Sequence, residues 1–219
     1  CLPPEPFCGV VRVYFNGPLT NLISPNPAHY CANTSGILLT GTINGGSPPY
    51  QYFWTNGANG TGSLVGNAVD YFATSAGTYS LTVRDSKYPG CPEQINNVNV
   101  IVDPLPIANA GSDQTVCPTN VTATLNGIIT NATGGVWSGG AGNFVPGNTT
   151  LNATYTPTQA EITAGSVVLT LTTTGNATCP SHSDAMTIFI TQPLQASITA
   201  PSIVCFNVNS TLTANVSGG

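Results

Sequence analysis

Seven cysteines, two histidines and eight carboxylates are the residues of this 219-residue sequence whose types could do chemistry. A metal site would want Cys or His at short, regular spacing. There is no CxxC, and His29 and His182 lie far apart in the sequence. Hydrolysis would need a carboxylate pair, or a nucleophile beside a positioned base. The acids Glu5, Asp70, Asp85, Glu93, Asp103, Asp113, Glu161 and Asp184 are scattered; His29 sits at the edge of a segment and His182 in a loop just after Cys179. The expectation is an exposed polar role for these groups and no enzymatic activity. The cysteines offer cross-linking instead, because thiols in a Gly-, Asn-, Thr- and Pro-rich, Lys-poor chain point to an oxidising exterior compartment where disulfides form. One weak metal expectation remains: Asp103 and Asp113 flank a Pro-rich joint where oxygen ligands could hold calcium, although their spacing matches no calcium loop. No other cofactor is implied.

Composition narrows the partners. Only 5% of residues are charged, against about 25% in an ordinary soluble domain. The surface must therefore be covered by Thr, Asn, Ser and Gly, which are polar without being ionic. Three Lys plus Arg (Arg12, Arg84 and Lys87) and a net charge of -5 cannot neutralise a phosphate backbone, which excludes nucleic acid as a partner. No run approaches the ~18 consecutive apolar residues of a membrane span. The first residues lack the basic and apolar regions of a signal peptide, so a targeting signal is expected outside these residues.

The elements that position the cysteines come from an internal repeat. "HYCANTSGILLTGTINGG" from His29, "TVCPTNVTATLNGIITNATGG" from Thr115 and "IVCFNVNSTLTANVSGG" from Ile203 begin alike, each with a Cys, then an Asn, an alternating run and Gly-Gly. "FCGVVRVYFNGPL" from Phe7, "GCPEQINNVNVIVDPL" from Gly90 and "TCPSHSDAMTIFITQPL" from Thr178 end alike, each with a Cys ahead of an alternating strand that closes on Pro-Leu. Both sets of cysteines recur at a period of roughly ninety residues. Residues 1–18 then read as the C-terminal tail of one repeat, 19–103 and 104–192 as two full domains, and 193–219 as the start of a following repeat, a window on a longer tandem array. This register predicts Cys31 paired with Cys91 and Cys117 with Cys179, with Cys8 and Cys205 bonded to residues outside the fragment. Each full bridge would close a loop of about sixty residues, worth on the order of 4 kcal/mol on the chain-entropy model. Cys1 has no counterpart; it either closes a short loop to Cys8 or is the acylated first residue of a lipoprotein.

Short runs of alternating, β-branched or aromatic residues fill each repeat. In the first they are "GILLTGTI" (36–43), "YQYFWT" (50–55), "AVDYFATS" (68–75), "TYSLTVRD" (78–85) and "INNVNVIV" (95–102), separated by Gly, Pro and Asn turns. In the second they are "VTATLNGIIT", "GGVWSG", "TLNATYT", "SVVLTLTTT" and "AMTIFIT". Such spacing predicts all-β, antiparallel sandwiches. One helical turn is predicted at "TPTQAEITAG", where Thr158 and Glu161 have capping-box spacing and Gly165 can end it. Trp54 and Trp137, each shortly after a Gly-Gly turn, are expected as core anchors, with carbohydrate stacking as the alternative. Tyr79, in a Gly-Thr-Tyr entry to a strand, has the form of a tyrosine corner. The joints "VDPLPIANAG" and "TQPLQASITAP" leave little slack, so successive domains are expected to form a rod.

"GGSPPYQYFWTNG" followed by "AGTYSLTVRD" is similar to the SprB-type repeat of gliding-motility adhesins, and more broadly to PKD-like domains. "ANAGSDQTVC", "GGVWSGGAGNF", "LNATYTPTQAEITAGSVVLTLTTTGNATCP" and "DAMTIFIT" resemble a second repeat type of giant Bacteroidota cell-surface proteins. Together the matches cover about residues 28–192. The resemblance implies tandem Ig-like/PKD-like, disulfide-stapled β-sandwiches in a very long protein exported by type IX secretion, located outside the cell or at its surface, with adhesion, gliding or matrix roles. It implies no catalytic residues. The first module departs from the usual repeat in its longer "GSLVGNAVDYFATS" section.

The leading expectation is a structural stalk of a large extracellular adhesin, its partners being neighbouring repeats of the same chain and surface polysaccharide. One alternative is a segment of a self-assembling fibre, where Thr-rich faces or sheet edges pack against copies of the same chain. A second is a carbohydrate-binding accessory module, which would need an exposed aromatic platform among Tyr50, Tyr52, Tyr71 and Phe144. Asn-x-Ser/Thr triplets such as Asn131–Thr133 and Asn152–Thr154 are acceptors only in a glycosylating pathway, and chance accounts for most of them in so Asn- and Thr-rich a chain.

Overall fold

Alternation of apolar and hydroxyl-bearing residues sends successive side chains to opposite faces of a strand, and a sheet with one apolar face must bury it against another. The computed structural model describes residues 17–88, 90–117, 121–199, 206, 209 and 211–217. Its contacts divide the chain into one unit ending at Leu105 and another beginning at Pro106. Most of the expected tail at 1–18, together with Cys1, Cys8 and Cys205, lies outside the described residues.

The first unit runs β1 (Thr20–Ser24), β2 (Ala28–Cys31), β3 (Ile37–Asn44), β4 (Tyr50–Thr55), β5 (Leu64–Gly66), β6 (Asp70–Ala73), β7 (Gly77–Asp85) and β8 (Gln94–Asp103). One sheet has the order β1-β3-β6 and the other β2-β8-β7-β4-β5. All pairs are antiparallel except β2 with β8, where Ala28 faces Val100 and Cys31 faces Asp103. The inward rows of the two sheets meet in a core built on Trp54, Leu39, Leu81, Val83, Tyr79, Val98 and Val100. On the outer side of the five-stranded sheet, the turn after β4 folds down over the strands. There the Ser80 hydroxyl donates to the Gly57 carbonyl and accepts from Gly60 N–H, while Asn97 and Asn59 bond each other. This is why Thr55, Ser80 and Thr82 are buried although they are polar.

The second unit contains β9 (Ile107–Asn109), β10 (Gln114–Val116), β11 (Ala123–Thr124), β12 (Ile128–Thr130), β13 (Gly134–Ser138), β14 (Asn143–Val145), β15 (Thr154–Thr156), α1 (Gln159–Ala164), β16 (Ser166–Thr174) and β17 (Ser183–Ile190). A four-stranded sheet, β10-β17-β16-β13, faces the ladders β11-β15-β14 and β12-β9. Here too the early strand β10 runs parallel to the last strand β17, with Thr115 opposite Phe189. Trp137, Tyr155, Leu125, Leu169, Leu171, Met186 and Ile188 make the core. The run 121–130, expected as one strand, is divided: Gly127 closely approaches the side chains of Leu171 and Trp137, and Leu125 and Gly127 continue the ladder by donating to the carbonyls of Ala153 and Leu151. The predicted helical turn is α1, with both halves of the Thr158–Glu161 capping box formed and Gly165 in the left-handed conformation. A final hairpin, β18 (Gln195–Thr199) with β19 (Thr213–Ser217), is exposed along both strands.

Candidate functional site

The cysteines are the residues whose placement departs from the sequence expectation. Cys31, Cys91 and Cys179 are each disulfide-bonded, whereas Cys117 carries a free, exposed thiol. The expected Cys31–Cys91 and Cys117–Cys179 bridges are excluded by strand direction. Cys31 lies beside Asp103 at the end of β8, while Cys91 precedes the start of that strand at Gln94. A strand of ten residues is roughly 30 Å long, and bridged Cα atoms sit within about 7 Å. In the second unit Cys117 follows Val116, which faces Ile190 at the end of β17, while Cys179 precedes its start at Ser183. The same separation forbids that bridge. The spacing in sequence gave a plausible loop length, but it carried no information on whether the opening strand runs with or against the closing one.

Six of the carboxylates are engaged with donors of their own modules. Asp85 accepts from the backbone N–H of Ser47, Lys87 and Tyr88 (2.9, 2.9 and 3.1 Å), which pins the turns at one end of β4 and β7. Asp103 pairs with His29 Nδ1 at 3.0 Å. Glu93 pairs with Arg84, whose guanidinium also lies over the Phe53 ring. Asp113 accepts from Thr187 N–H at 2.7 Å. Ala110 N–H donates to Asp184 at 2.8 Å, and Ala108 N–H donates to His182 Nδ1 at 3.1 Å, so these two side chains hold the first strand of the second module. Their spacing of two places both on one side of the strand leading into β17, a signal visible in "SHSDAM" that a reading for triads passes over. Asp103 and Asp113 therefore each have a protein partner, and among the described residues no group of three or more His, Cys, Asp and Glu side chains could hold a metal ion.

Glu161 is the centre of the most elaborate of these arrangements. Its carboxylate accepts from Ala141 N–H (2.6 Å), Thr158 N–H (2.7 Å), the Thr158 hydroxyl (3.0 Å) and the Tyr155 hydroxyl (2.9 and 3.1 Å). Burial alone would raise its pKa, but the bonds from Thr158, Ala141 and Tyr155 outweigh it and leave the carboxyl below its ordinary value. The Tyr155 phenol is pushed up to about 12, chiefly by burial; its bond from Gly142 N–H works the other way, and the neighbouring Glu161 adds to the rise.

The aromatic residues are mostly structural. Trp54 and Trp137 are fully buried, and each indole N–H donates to a carbonyl across the core, Ala68 and Leu151 respectively. The Tyr79 hydroxyl donates to the Ser75 carbonyl at 3.1 Å. Tyr50, Tyr52 and Tyr71, each partly buried, pack against the first core, and Phe144, also partly buried, packs against the second. Tyr71 stacks on Trp54, and burial followed by the proximity of Tyr79 raises its pKa. The exposed apolar groups are elsewhere: Leu22, Leu38 and Phe72 on the outer face of β1-β3-β6, and Val168 and Phe189 on that of β10-β17-β16-β13. The outward strand positions between them include Thr115, Ser166, Thr170, Thr172, Ser183 and Ala185, none of them charged, while Asp113 adjoins the edge and accepts from Thr187 N–H. Among the described residues, no helix is long and apolar enough to cross a membrane.

Comparison with known proteins gives fold-level likeness only. No family model matches the sequence, and no curated protein matches it. Among solved structures, it is similar to Sidekick-1 immunoglobulin domains 1–4 (TM-score 0.45, 12% identity, 78% of this chain), of which it spans about half, 49%. It is also similar to titin domains I67–I69 (TM-score 0.47, 10% identity, 89% of this chain and 76% of that one). A third likeness is to fibronectin(III)-like modules of CbhA from Clostridium thermocellum (TM-score 0.42, 13% identity, 78% and 93%). The strand orders described above define the class: all-β, immunoglobulin-like sandwiches in tandem, with disulfides.

Proposed function

We propose that this chain is a non-enzymatic structural stretch of a large extracellular surface adhesin, a stalk of tandem Ig-like modules of the kind found in gliding-motility proteins exported by type IX secretion. The observation that carries this reading is the commitment of the chain's few ionic groups to architecture. Six of its carboxylates bond donors in their own module, and both tryptophans are core posts. What is left outside is a neutral, hydroxyl-rich surface, suited to spacing and to contact with neighbouring repeats and surface polysaccharide. The two full modules are assigned to 19–103 and 104–192, the flanks to adjoining repeats.

A second reading has its own observation. The outward strand positions of β10-β17-β16-β13 are uncharged, with Asp113 only at one edge, and so offer little like-charge repulsion to a copy of the same face, as a fibre subunit would require. Electron microscopy of native material separates the two. Isolated strands beaded once per module support the stalk; ordered filaments with helical symmetry, in which these modules pack side by side, overturn it in favour of the fibre.

A further inference from the structure

The two modules place equivalent cysteines at equivalent points, yet differ in the state of one. In each, a short opening strand runs parallel to the last strand, and the opening cysteine stands where that pair ends: Cys31 opposite Asp103, and Cys117 one residue past the Val116–Ile190 pair. The ladder continues alike beyond both, since Ala32 N–H donates to the Asp103 carbonyl and Thr191 N–H to the Val116 carbonyl. Cys31 is in a disulfide, and strand direction excludes the closing cysteine of its own module. Cys117 is exposed and free, and strand direction excludes Cys179 in the same way. The closing cysteines Cys91 and Cys179 stand at the opposite end of the last strand, where each module begins, and both are bonded.

We propose that Cys117 is one half of a disulfide whose other half is the closing-type cysteine of a further module of the same kind, so that opening cysteines bond outside their own module. This rests on the tandem-array reading above. Its support is twofold: the exposed thiol, and the bonded state of the same position in the sister module. The chemistry is thiol–disulfide exchange. The Cys117 thiolate, having released its proton, attacks a sulfur of an oxidised donor disulfide and expels a thiolate. The second cysteine then attacks the mixed disulfide and expels the other donor sulfur. Two protein thiols are oxidised, one donor disulfide is reduced to two thiols, and the new S–S bond joins two modules.

The test is a non-reducing peptide map of the native protein, with free thiols alkylated by iodoacetamide in denaturant before digestion. The expected result is a Cys117 peptide without alkylation, linked to a peptide in which a Cys precedes an alternating strand closing on Pro-Leu, and which contains neither Cys91 nor Cys179. Quantitative alkylation of Cys117, or its linkage to Cys179, overturns the proposal. Linkage of Cys31 to Cys91 in the same map overturns the strand-direction argument beneath it. Native protein that shows arrays of modules but an alkylated Cys117 leaves the array reading standing and removes only the bridge; native protein with no further module removes both.

Discussion

Replacing Glu161 with Gln tests how much of the second module depends on one carboxylate. Four groups donate to it, the N–H of Ala141, the N–H and hydroxyl of Thr158, and the Tyr155 hydroxyl. A glutamine amide keeps one acceptor oxygen and turns an NH2 toward the remaining donors, so about two charge-assisted bonds are lost. Hydrogen bonds to charged groups contribute about 1.5–3 kcal/mol each; halving the sum for partial exposure gives a loss of about 1.5–3 kcal/mol. In a module of this size that lowers Tm by roughly 10–20 °C. The pH dependence carries the sign. The folded carboxyl has a pKa below its ordinary value, so its contribution is complete above the unfolded pKa and is lost as pH falls through the folded one. The gap between wild type and Glu161→Gln should be full at pH 7 and shrink in acid, where both side chains are neutral. Calorimetry of the 219-residue chain reads this as movement of the second module's transition, with that of the first unmoved. A Gln variant within 0.5 kcal/mol of wild type at pH 7, or a gap that persists unchanged at acid pH, refutes the account.

The phenol at the other end of this network gives an alkaline counterpart. Tyr155 is the one tyrosine beyond Leu105 in the sequence, and its folded pKa is raised to about 12. The stability it contributes is present below about pH 10 and lost as pH rises towards 12, so Tyr155→Phe should flatten that stretch of the second module's pH–stability curve. Gly140→Ala should destabilise the same module, because a Cβ there overlaps the Tyr155 hydroxyl and the backbone φ is +66°; denaturant unfolding that leaves the midpoint in place contradicts the contact. Trp54→Ala and Trp137→Ala should each cost about 3–5 kcal/mol, read by urea midpoints, with each substitution confined to its own module's transition. Tyr79→Phe, which leaves the ring in place and removes the bond to the Ser75 carbonyl, should cost about 1 kcal/mol.

Local chemistry in the sequence was legible where it was self-contained. The capping box of Thr158 and Glu161, with Gly165 behind it, lies within eight neighbouring residues, and it appears as expected. β16 coincides with the run "SVVLTLTTT" because that strand's alternation is uninterrupted. β1 and β2 were not expected as strands, since in "NLISPNPAHYC" two prolines interrupt any alternating run. The split of 121–130 was equally hidden, because the break at Gly127 answers to the side chains of Trp137 and Leu171, which are distant in sequence. The cysteine pairing failed for the same kind of reason. Spacing reports how much chain lies between two thiols, while bonding depends on the parallel sense of β2 with β8 and of β10 with β17. The roles of His182 and Asp184 as acceptors for Ala108 and Ala110 are likewise set by partners more than seventy residues away.

That parallel sense has a mechanical consequence. Within the first module, β2 runs from Ala28 to Cys31 beside the end of β8 at Val100–Asp103, and the two strands point in the same direction. Tension applied to the module's two ends drags these strands past each other along their length. The ladder from Ala28–Val100 to Cys31–Asp103 is then loaded in shear, with its bonds sharing the force and breaking together. A hairpin pulled at its open end parts one bond at a time. The second module repeats the arrangement at Gln114–Val116 against Ile188–Ile190, so in each domain this ladder meets a pull along the chain with its bonds acting in parallel.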